Sequence, residues 1–351
     1  MELALHHEQH GYYAAGPCRV GPRGDFVTAS DSGDAFGRAI ARQLAEIDRI
    51  VGGPPVFDVV EFGAGRGLLA RDVLDALEQD APDLRARTRY AVIDSSAAMR
   101  AEAARRAPEA RVLGPAEAPL GGVGCVLAVE LFDALPVHRV RRDRGRLVEV
   151  FIGIDGSGAL VEREGEPTPT AAAWAERYGA VREDGTTAEV CPSVDPQMDA
   201  LARAVERGVL LVVDYGDDAA RLYGPARPCG TLLAYHGHTT NEELLERIGE
   251  QDLTAHVNFT ALADRARALG MEVLGLTTQD RFLIANGILE AFAQPTLAES
   301  RDPRRVKARL RALHLVHPAA LGRTFRVLAL SKGLEDPPTL RGLADPFARE
   351  R

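Results

Sequence analysis

Short apolar runs alternate with helical stripes through the first third of the chain, and this pattern sets the expected architecture. The runs have the near-continuous apolar character of strands buried on both faces. These strand-like runs lie at 56–62, 90–94, 110–113 and 124–129. Apolar residues recur at helical spacing at 35–50, 68–77 and 95–106. The alternation predicts a parallel sheet that is covered by helices on both faces.

The alternation stops after the fourth strand. Residues 146–154 and 159–163 alternate like the two strands of a hairpin, with a turn at 155–158 between them. A strongly apolar strand follows at 209–214, so 137–207 is an insertion between the fourth and fifth strands. The later elements that the same patterns predict are helices at 242–251 and 259–269 and strands at 271–277 and 324–331.

The composition fits a protein with a large buried core, because 46% of the 351 residues are hydrophobic. The net charge of −9 argues against a general nucleic-acid binder, and the arginines at 139–146 fit a solvated strand edge. The spacing of the cysteines suits neither a zinc site nor a disulfide framework and indicates a reducing cytosol. The cysteines are Cys18, Cys125, Cys191 and Cys229. Without a membrane-length apolar run or a signal segment, the chain is expected in the cytoplasm with no membrane partner.

A glycine-rich turn directly follows the first predicted strand. Residues 61–67 read Glu-Phe-Gly-Ala-Gly-Arg-Gly and lead into a helix. Glycine lets the chain turn sharply and lets a ligand approach the backbone where a Cβ would collide. The second strand ends in Asp94, and a carboxylate there accepts hydrogen bonds from both ribose hydroxyls of an adenosine. The residues expected to bind the cofactor here are Glu61, Gly63, Ala64, Gly65, Gly67, Asp94 and Ser95.

Two kinds of nucleotide ligand compete for this turn. A dinucleotide places its pyrophosphate at the helix N-terminus, where an acidic residue at the end of the strand would repel it. S-adenosylmethionine carries no phosphate, and the ammonium group of its methionine part tolerates or attracts Glu61. The compact glycine spacing with an acid before it therefore favours S-adenosylmethionine, and a turn that binds nothing is the remaining interpretation.

Several further blocks match one known family in the same order along the chain. These blocks are H-G-Y-Y at 10–13, G-D-F-V-T-A at 24–29, E-L-F-D-A-L-P-V at 130–137, V-D-Y-G at 213–216 and D-L-T-A-H-V-N-F-T at 252–260. Together with the glycine turn they resemble the MidA-like methyltransferases, whose mitochondrial members dimethylate an arginine in a subunit of respiratory complex I. The resemblance runs from residue 10 to the region of residue 333, almost the whole chain.

The resemblance implies a fold of the α/β class, that of the class I S-adenosylmethionine-dependent methyltransferases. Such proteins have a Rossmann-like seven-stranded sheet whose last strand is antiparallel. An N-terminal arm and the insertion after strand four would cover the substrate. The expected parts are an arm at 1–34, a cofactor-binding half at 35–136, a substrate cap at 137–207, the second half of the sheet at 208–333 and a tail at 334–351.

The chain departs from the family pattern in segments expected near the substrate. The family's T-T-A-P-E-I-S reads V-T-A-S-D-S-G at 27–33, and the usual asparagine before the acid that follows strand four is Val129. The family's Y-R-G-H reads Y-H-G-H at 235–238, and a usual aspartate is Asn258. Because the cofactor blocks are intact, the resemblance supports the cofactor more strongly than the acceptor.

Three residues are candidates for the chemistry. Methyl transfer from a sulfonium requires an aligned nucleophile and a place for its proton, but no metal. Glu130 follows the fourth strand, the position facing the transferable methyl in this fold, and Asp133 lies three residues later. Carboxylates there would hold the planar fork of an arginine guanidinium, or else would cap the next turn. His256 is a candidate proton acceptor, with a structural histidine as the alternative.

Three further residues are candidate cofactor ligands. Asp25 and Thr28 in the arm would close over the cofactor and exclude water from the sulfonium. Glu117 follows the third strand, where an acid would meet the adenine amino group.

The leading acceptor is an arginine nitrogen of a protein or peptide. A small metabolite or natural product is the first alternative acceptor. A non-catalytic assembly factor that holds a partner protein on the same surface is the second alternative. Whether the chain forms a homodimer is left open.

Overall fold

The computed structural model describes residues 1–15, 19–21, 24–292 and 302–347. Its α-helices are α1 (Glu2–His6), α2 (Asp34–Ile50), α3 (Leu68–Asp80), α4 (Pro82–Arg87), α5 (Ala97–Arg106), α6 (Pro169–Tyr178), α7 (Val194–Ala204), α8 (Ala219–Leu222), α9 (Phe259–Ala268), α10 (Gln279–Ala285), α11 (Pro303–Val316) and α12 (Leu321–Thr324). Within the described ranges, none of the helices combines the length and apolarity needed to cross a lipid bilayer.

The β-strands of the described residues form one large and two small sheets. They are β1 (Phe57–Phe62), β2 (Thr88–Ile93), β3 (Arg111–Leu113), β4 (Gly122–Val129), β5 (His138–Asp143), β6 (Arg146–Ile154), β7 (Leu160–Gly165), β8 (Thr187–Val190), β9 (Val205–Asp217), β10 (Leu233–His236), β11 (Thr239–Asn241), β12 (Asp252–Thr254), β13 (Val257–Asn258), β14 (Glu272–Thr278) and β15 (Phe325–Lys332).

The large sheet has the strand order β3–β2–β1–β4–β9–β15–β14. Its first five strands are parallel, whereas β15 lies antiparallel to both β9 and β14. The seven-stranded sheet with an antiparallel last strand is thereby confirmed. The short strand β13 pairs with the end of β9 and extends the sheet there. The carboxyl ends of the parallel strands meet at one edge, where the site is expected.

Helices cover both faces of this sheet, as buried parallel strands require. On one face α2 packs against α3, and its large buried residues Phe36, Ile40, Leu44 and Ile47 recur at helical spacing. On the other face α7 and α9 pack against each other and against β9. Burial of one large apolar side chain stabilises the fold by about 1.5–3 kcal/mol. The two layers therefore hold the strand ends in fixed positions.

The segment between β4 and α7 forms a four-stranded sheet in the order β7–β6–β5–β8. The predicted hairpin is confirmed as β6 and β7. Arginines of β5 pair with glutamates of β7, Arg139 with Glu162 and Arg141 with Glu164. Two of the five arginines at 139–146 are therefore paired with acidic residues within the sheet.

The prediction of a helix at 242–251 is wrong, because these residues form successive turns. The side-chain amide of Gln251 donates to two carbonyls inside the segment. Gly249 has φ +77° and lies so close to the arm that a Cβ would be 2.1 Å from the carbonyl oxygen of His10. These tertiary contacts outweigh the helix propensity of the sequence.

The N-terminal arm packs on the third sheet, which has the order β11–β10–β12. A small apolar cluster joins the arm to this sheet and to the residues after β4. Its buried members are Ala4, Leu5, Tyr12, Ala134, Ala234 and Leu253. The cluster holds the arm beside the carboxyl ends of the central strands.

Candidate active site

A cavity of about 920 Å³ opens at the carboxyl ends of β1, β2 and β4. This is the edge where open parallel sheets bind their ligands, and the volume suits a small-molecule site. The glycine turn after β1 forms one wall, and the residues after β4 form another. The arm, β10, β12 and α7 complete the lining.

The glycine turn presents bare backbone to the cavity. Gly65 has φ +53° and Gly67 has φ +71°, which are left-handed values that favour glycine. A Cβ on Gly67 would lie 2.9 Å from Ala103, so this glycine lets α3 and α5 pack closely. A Cβ on Gly65 would meet no protein atom within 4 Å. Gly63, Ala64 and Gly65 line the cavity, whereas Gly67 supports the turn from behind.

Asp94 is held by backbone amides at the end of β2. Its Oδ2 accepts a hydrogen bond from the Gly65 N–H at 2.8 Å, and its Oδ1 accepts one from the Ser96 N–H at 2.8 Å. Each oxygen keeps a lone pair for a further donor. Burial raises the pKa of Asp94, and the two amide donors oppose that shift. Ser95 also lines the cavity, and Ser96 caps α5.

Glu61 lies at the end of β1 with its carboxyl group buried beside the cavity. The hydroxyl of Tyr90 donates to its Oε2 at 2.7 Å. Burial raises the pKa of Glu61 to about 8 despite this donor. A cationic group bound next to Glu61 would restore its charge and gain a strong ion pair.

The residues after β4 are held in an unusual backbone conformation. Glu130 has φ +53°, which is costly for a residue with a side chain. Its N–H donates to the carbonyl of Val213 at 2.9 Å. The carboxylate of Asp214 accepts hydrogen bonds from the N–H groups of Leu131 at 3.1 Å and Phe132 at 2.8 Å. Asp214, which the sequence reasoning did not select, therefore holds the backbone that directly follows Glu130.

Three carboxyl groups, Glu130, Asp133 and Asp252, line the cavity, lie close enough to repel one another, and are called here the acidic cluster. Burial, followed by repulsion from Asp214 and Asp252, raises the pKa of Asp133 well above its usual range. Burial likewise raises the pKa of Glu130 to about 8 and that of Asp252 to about 7. The hydroxyl of Tyr13 donates to Oδ1 of Asp252 at 3.0 Å. A cation bound in the cavity would therefore favour the charged form of these carboxyl groups.

Asp252 was missed by the sequence reasoning, which chose His256 from the same block. The structure places His256 in a separate small cavity with Glu189 and Tyr223. Its ring stacks on Tyr215, with ring centroids 6.2 Å apart, and only Tyr215 faces the large cavity. Burial lowers the pKa of His256 to about 4. The available signal was that Asp252 is the acidic residue that begins this block, and in the structure it is the first residue of β12.

Two other predicted residues also lie away from the cavity lining. Asp25 accepts hydrogen bonds from the hydroxyl of Tyr12 at 3.0 Å and from the N–H of Gly237 at 2.7 Å, so it ties the arm to the third sheet. Glu117 is exposed, and its Oε2 accepts the N–H of Gly114 at 3.0 Å, which caps its own turn. Thr28, in contrast, lines the cavity.

Comparison with known proteins identifies the family to which the chain belongs. Residues 39–277 match the model of a family described as "Putative S-adenosyl-L-methionine-dependent methyltransferase". The chain belongs to this family. Among curated proteins it is 28% identical to "Protein arginine methyltransferase NDUFAF7 homolog, mitochondrial" of Drosophila melanogaster, over 95% of this chain and 80% of that one. It is 26% identical to "Protein arginine methyltransferase NDUFAF7, mitochondrial" of Homo sapiens, over 94% of this chain and 78% of that one.

A solved structure has a similar fold over almost the whole of this chain. It is a COG1565 superfamily member from Burkholderia thailandensis bound to S-adenosyl-homocysteine. Its sequence is 28% identical to this chain, and the two folds agree with a TM-score of 0.86. The match covers 98% of this chain and 88% of that chain. The chain is an S-adenosylmethionine-dependent methyltransferase of the class I fold.

The residues around the cavity fit S-adenosylmethionine as the cofactor. Gly65 leaves open space where a side chain would block a ligand, and Asp94 offers a fixed carboxylate for ribose hydroxyls. Glu61 offers a buried carboxyl group for an ammonium. When bound, this cofactor supplies a methyl group on a positively charged sulfur.

Proposed function

We propose that this chain methylates a guanidinium nitrogen of an arginine in a protein or peptide. The observation that carries the proposal is the acidic cluster of Glu130, Asp133 and Asp252 in one cavity with the glycine turn. An arginine guanidinium is planar and always cationic, and it binds carboxylates through paired hydrogen bonds. Its positive charge would offset the cost of ionising these buried carboxyl groups.

The carboxyl groups have two tasks in this proposal. A guanidinium is a poor nucleophile, and carboxylates that hold its fork concentrate electron density on the nitrogen that reacts. The nitrogen gains a methyl group and releases one proton. A carboxylate of the acidic cluster accepts that proton, because burial brings the pKa of Glu130 and Asp252 close to neutrality.

The relatives support the same acceptor. The two curated proteins carry the description of protein arginine methyltransferases, and at 26–28% identity they support the acceptor without fixing it.

The described cysteines, Cys125, Cys191 and Cys229, are free thiols, which supports the reducing cytosol as the proposed compartment.

The test is methyl transfer from labelled S-adenosylmethionine to arginine-containing peptides, followed by acid hydrolysis and amino-acid chromatography. Matched peptides with lysine in place of arginine serve as the control. We expect label in methylarginine and none from the lysine peptides. Label in small molecules of a lysate but in no protein would establish the small-molecule alternative. Cofactor binding without transfer to peptide, protein or small-molecule fractions would favour the assembly-factor alternative.

A further inference from the structure

An ion pair connects the glycine turn to the N-terminal arm. The guanidinium of Arg66, in the turn, contacts Oδ1 of Asp31, in the arm. The side chains are only 11% and 4% exposed, so solvent screens the pair weakly. Gly21 of the arm leaves room for this guanidinium, because a Cβ there would lie 2.7 Å from both terminal nitrogens of Arg66. The arm is thereby fixed to the cofactor side of the cavity.

The second oxygen of Asp31 organises the turn that follows. Oδ2 accepts hydrogen bonds from the N–H of Thr28 at 3.1 Å and from its hydroxyl at 3.0 Å. Asp31 and Thr28 form a capping box around the short 3-10 helix Ala29–Ser32. The orientation of the first N–H of this helix therefore depends on Asp31.

That first N–H reaches the acidic cluster. The Ala29 N–H donates to Oε1 of Glu130 at 2.8 Å. Glu130 stands on a costly left-handed backbone, so its side chain direction needs support from its surroundings. A chain of contacts thus runs from Arg66 in the cofactor turn, through Asp31, to the carboxylate of Glu130.

We propose that Asp31 is a positioning residue that orients the Glu130 carboxylate through the Ala29 amide, with Arg66 as its anchor. The kinetic part of this inference rests on the proposed function, in which Glu130 acts on the methyl acceptor. The structural part of the inference, the chain of contacts from Arg66 to Glu130, does not depend on the proposed function. Asp31 is not part of the cavity lining, whereas Glu130 is, so Asp31 acts through the carboxylate of Glu130.

Hydrogen exchange of the full chain tests the structural link without any substrate. We expect Asp31→Asn to speed amide exchange in residues 24–36 and also, by about threefold or more, in residues 128–136. Arg66→Lys keeps the charge and loses the planar fork, and it should give a smaller change in both segments. The insertion sheet β5–β8 is the internal control and should not change. Faster exchange in the arm alone would overturn the proposal.

Steady-state kinetics test whether Asp31 acts through Glu130. We expect Asp31→Asn to lower kcat about 10- to 100-fold with little change in the KM for S-adenosylmethionine, because small misplacements of a catalytic group have effects of this size. Asp31→Glu, which retains the charge, should recover part of the loss. In a Glu130→Gln background the Asp31→Asn change should have almost no further effect on kcat.

The outcomes separate this inference from the proposed function. If the wild-type chain methylates no arginine but the exchange coupling between the two segments is present, only the proposed acceptor fails. If the Asp31→Asn and Glu130→Gln effects multiply, Asp31 does not act through Glu130 and the inference fails. An equal kcat loss in Asp31→Glu and Asp31→Asn would also contradict it.

Discussion

The cofactor side of the cavity, residues 61–96, exposes the backbone of its glycine turn, whereas the proposed acceptor side around Glu130 presents a cluster of carboxyl side chains. On the cofactor side the glycine turn bares its backbone and Asp94 is fixed by the N–H groups of Gly65 and Ser96. On the acceptor side Glu130 and Asp133, from the segment after β4, lie close to Asp252 of β12.

The comparison shows where the fold holds buried groups that lower its free energy of unfolding. Backbone amides satisfy Asp94 within one short segment, and Glu61 is the buried carboxyl group of this side whose pKa burial raises to about 8. The acidic cluster keeps carboxyl groups in a buried place that disfavours their charge. Sites arranged in this way are typical of function rather than of stability. Four substitutions sharpen or break this comparison.

The largest effect is expected from Gly65→Val on the cofactor side. The new side chain would fill the open space and would be strained at φ +53°. Calorimetric titration should show S-adenosyl-homocysteine affinity reduced at least about 100-fold, equivalent to about 2.8 kcal/mol. Gly158→Val is the matched control, because Gly158 has φ +86° and also faces open space, in the β6–β7 turn. If both variants bind normally, Gly65 does not line the cofactor site.

A smaller effect is expected from Asp214→Asn on the acceptor side. One oxygen of Asp214 accepts the N–H groups of Leu131 and Phe132, and the other accepts the N–H of Tyr215. Asparagine has only one accepting oxygen, so it leaves at least one of these donors without an acceptor and should loosen the backbone that positions Glu130. We expect kcat to fall about tenfold and stability to fall by about 1–3 kcal/mol. Asp217→Asn, in the same strand but paired with Arg326 away from the cavity, is the control. It should lose stability and keep kcat, and equal kcat losses would contradict the assigned role of Asp214.

The dependence of stability on pH should next reveal the cost of ionising Glu130. Burial raises the pKa of Glu130 from 4.5 to about 8, so between these values the folded state holds a proton that the unfolded state releases. Stability therefore falls as pH rises through that window. Glu130→Gln removes this penalty and should be more stable than wild type at pH 8, by about 1–3 kcal/mol, with the gap closing towards pH 5.

Chemical denaturation at pH 5 and pH 8 measures this difference. The exposed Glu117 gives the matched control, and Glu117→Gln should show the same difference from wild type at both pH values. A Glu130→Gln variant that is less stable than wild type at pH 8 would show that burying Glu130 does not lower the stability of the fold.

The smallest effect is expected from His256→Phe. His256 stacks on Tyr215 outside the large cavity, and a phenyl ring can keep that contact. We expect kcat to stay within about threefold of wild type, because a group that does not reach the acceptor cannot move its proton. A loss of 30-fold or more in kcat, together with loss of the acidic limb of the pH profile, would show that His256 takes part in the reaction.

The residues that the sequence selects for the cofactor side lie together in the structure because they are close along the chain and follow neighbouring strands. Glu61, Gly65 and Asp94 lie at the ends of two neighbouring parallel strands, and strand order alone brings such ends together. Glu117 shows the limit of that reasoning. It follows the third strand as expected, but the N–H of Gly114 is a nearer partner for its carboxylate than any ligand.

The acceptor side could be predicted only in part. Glu130 and Asp133 follow β4 directly, and strand position was enough to select them. Choosing between Asp252 and His256 depended on how β12 and β13 pack beside Tyr215, which no periodicity reveals. The contact between Asp31 and Arg66 joins residues 35 positions apart with no shared pattern. Each of these arrangements arises from tertiary packing of separate segments.

The central claim is that Glu130 acts on the methyl acceptor and not on cofactor binding. The most direct test measures S-adenosyl-homocysteine affinity and single-turnover methyl transfer in Glu130→Gln, which keeps the size of the side chain and removes its charge. We predict affinity within about threefold of wild type and transfer reduced at least about 100-fold, as expected for a group that acts only on the reacting acceptor. Unchanged transfer, or a loss of affinity that matches the loss of transfer, would contradict the claim.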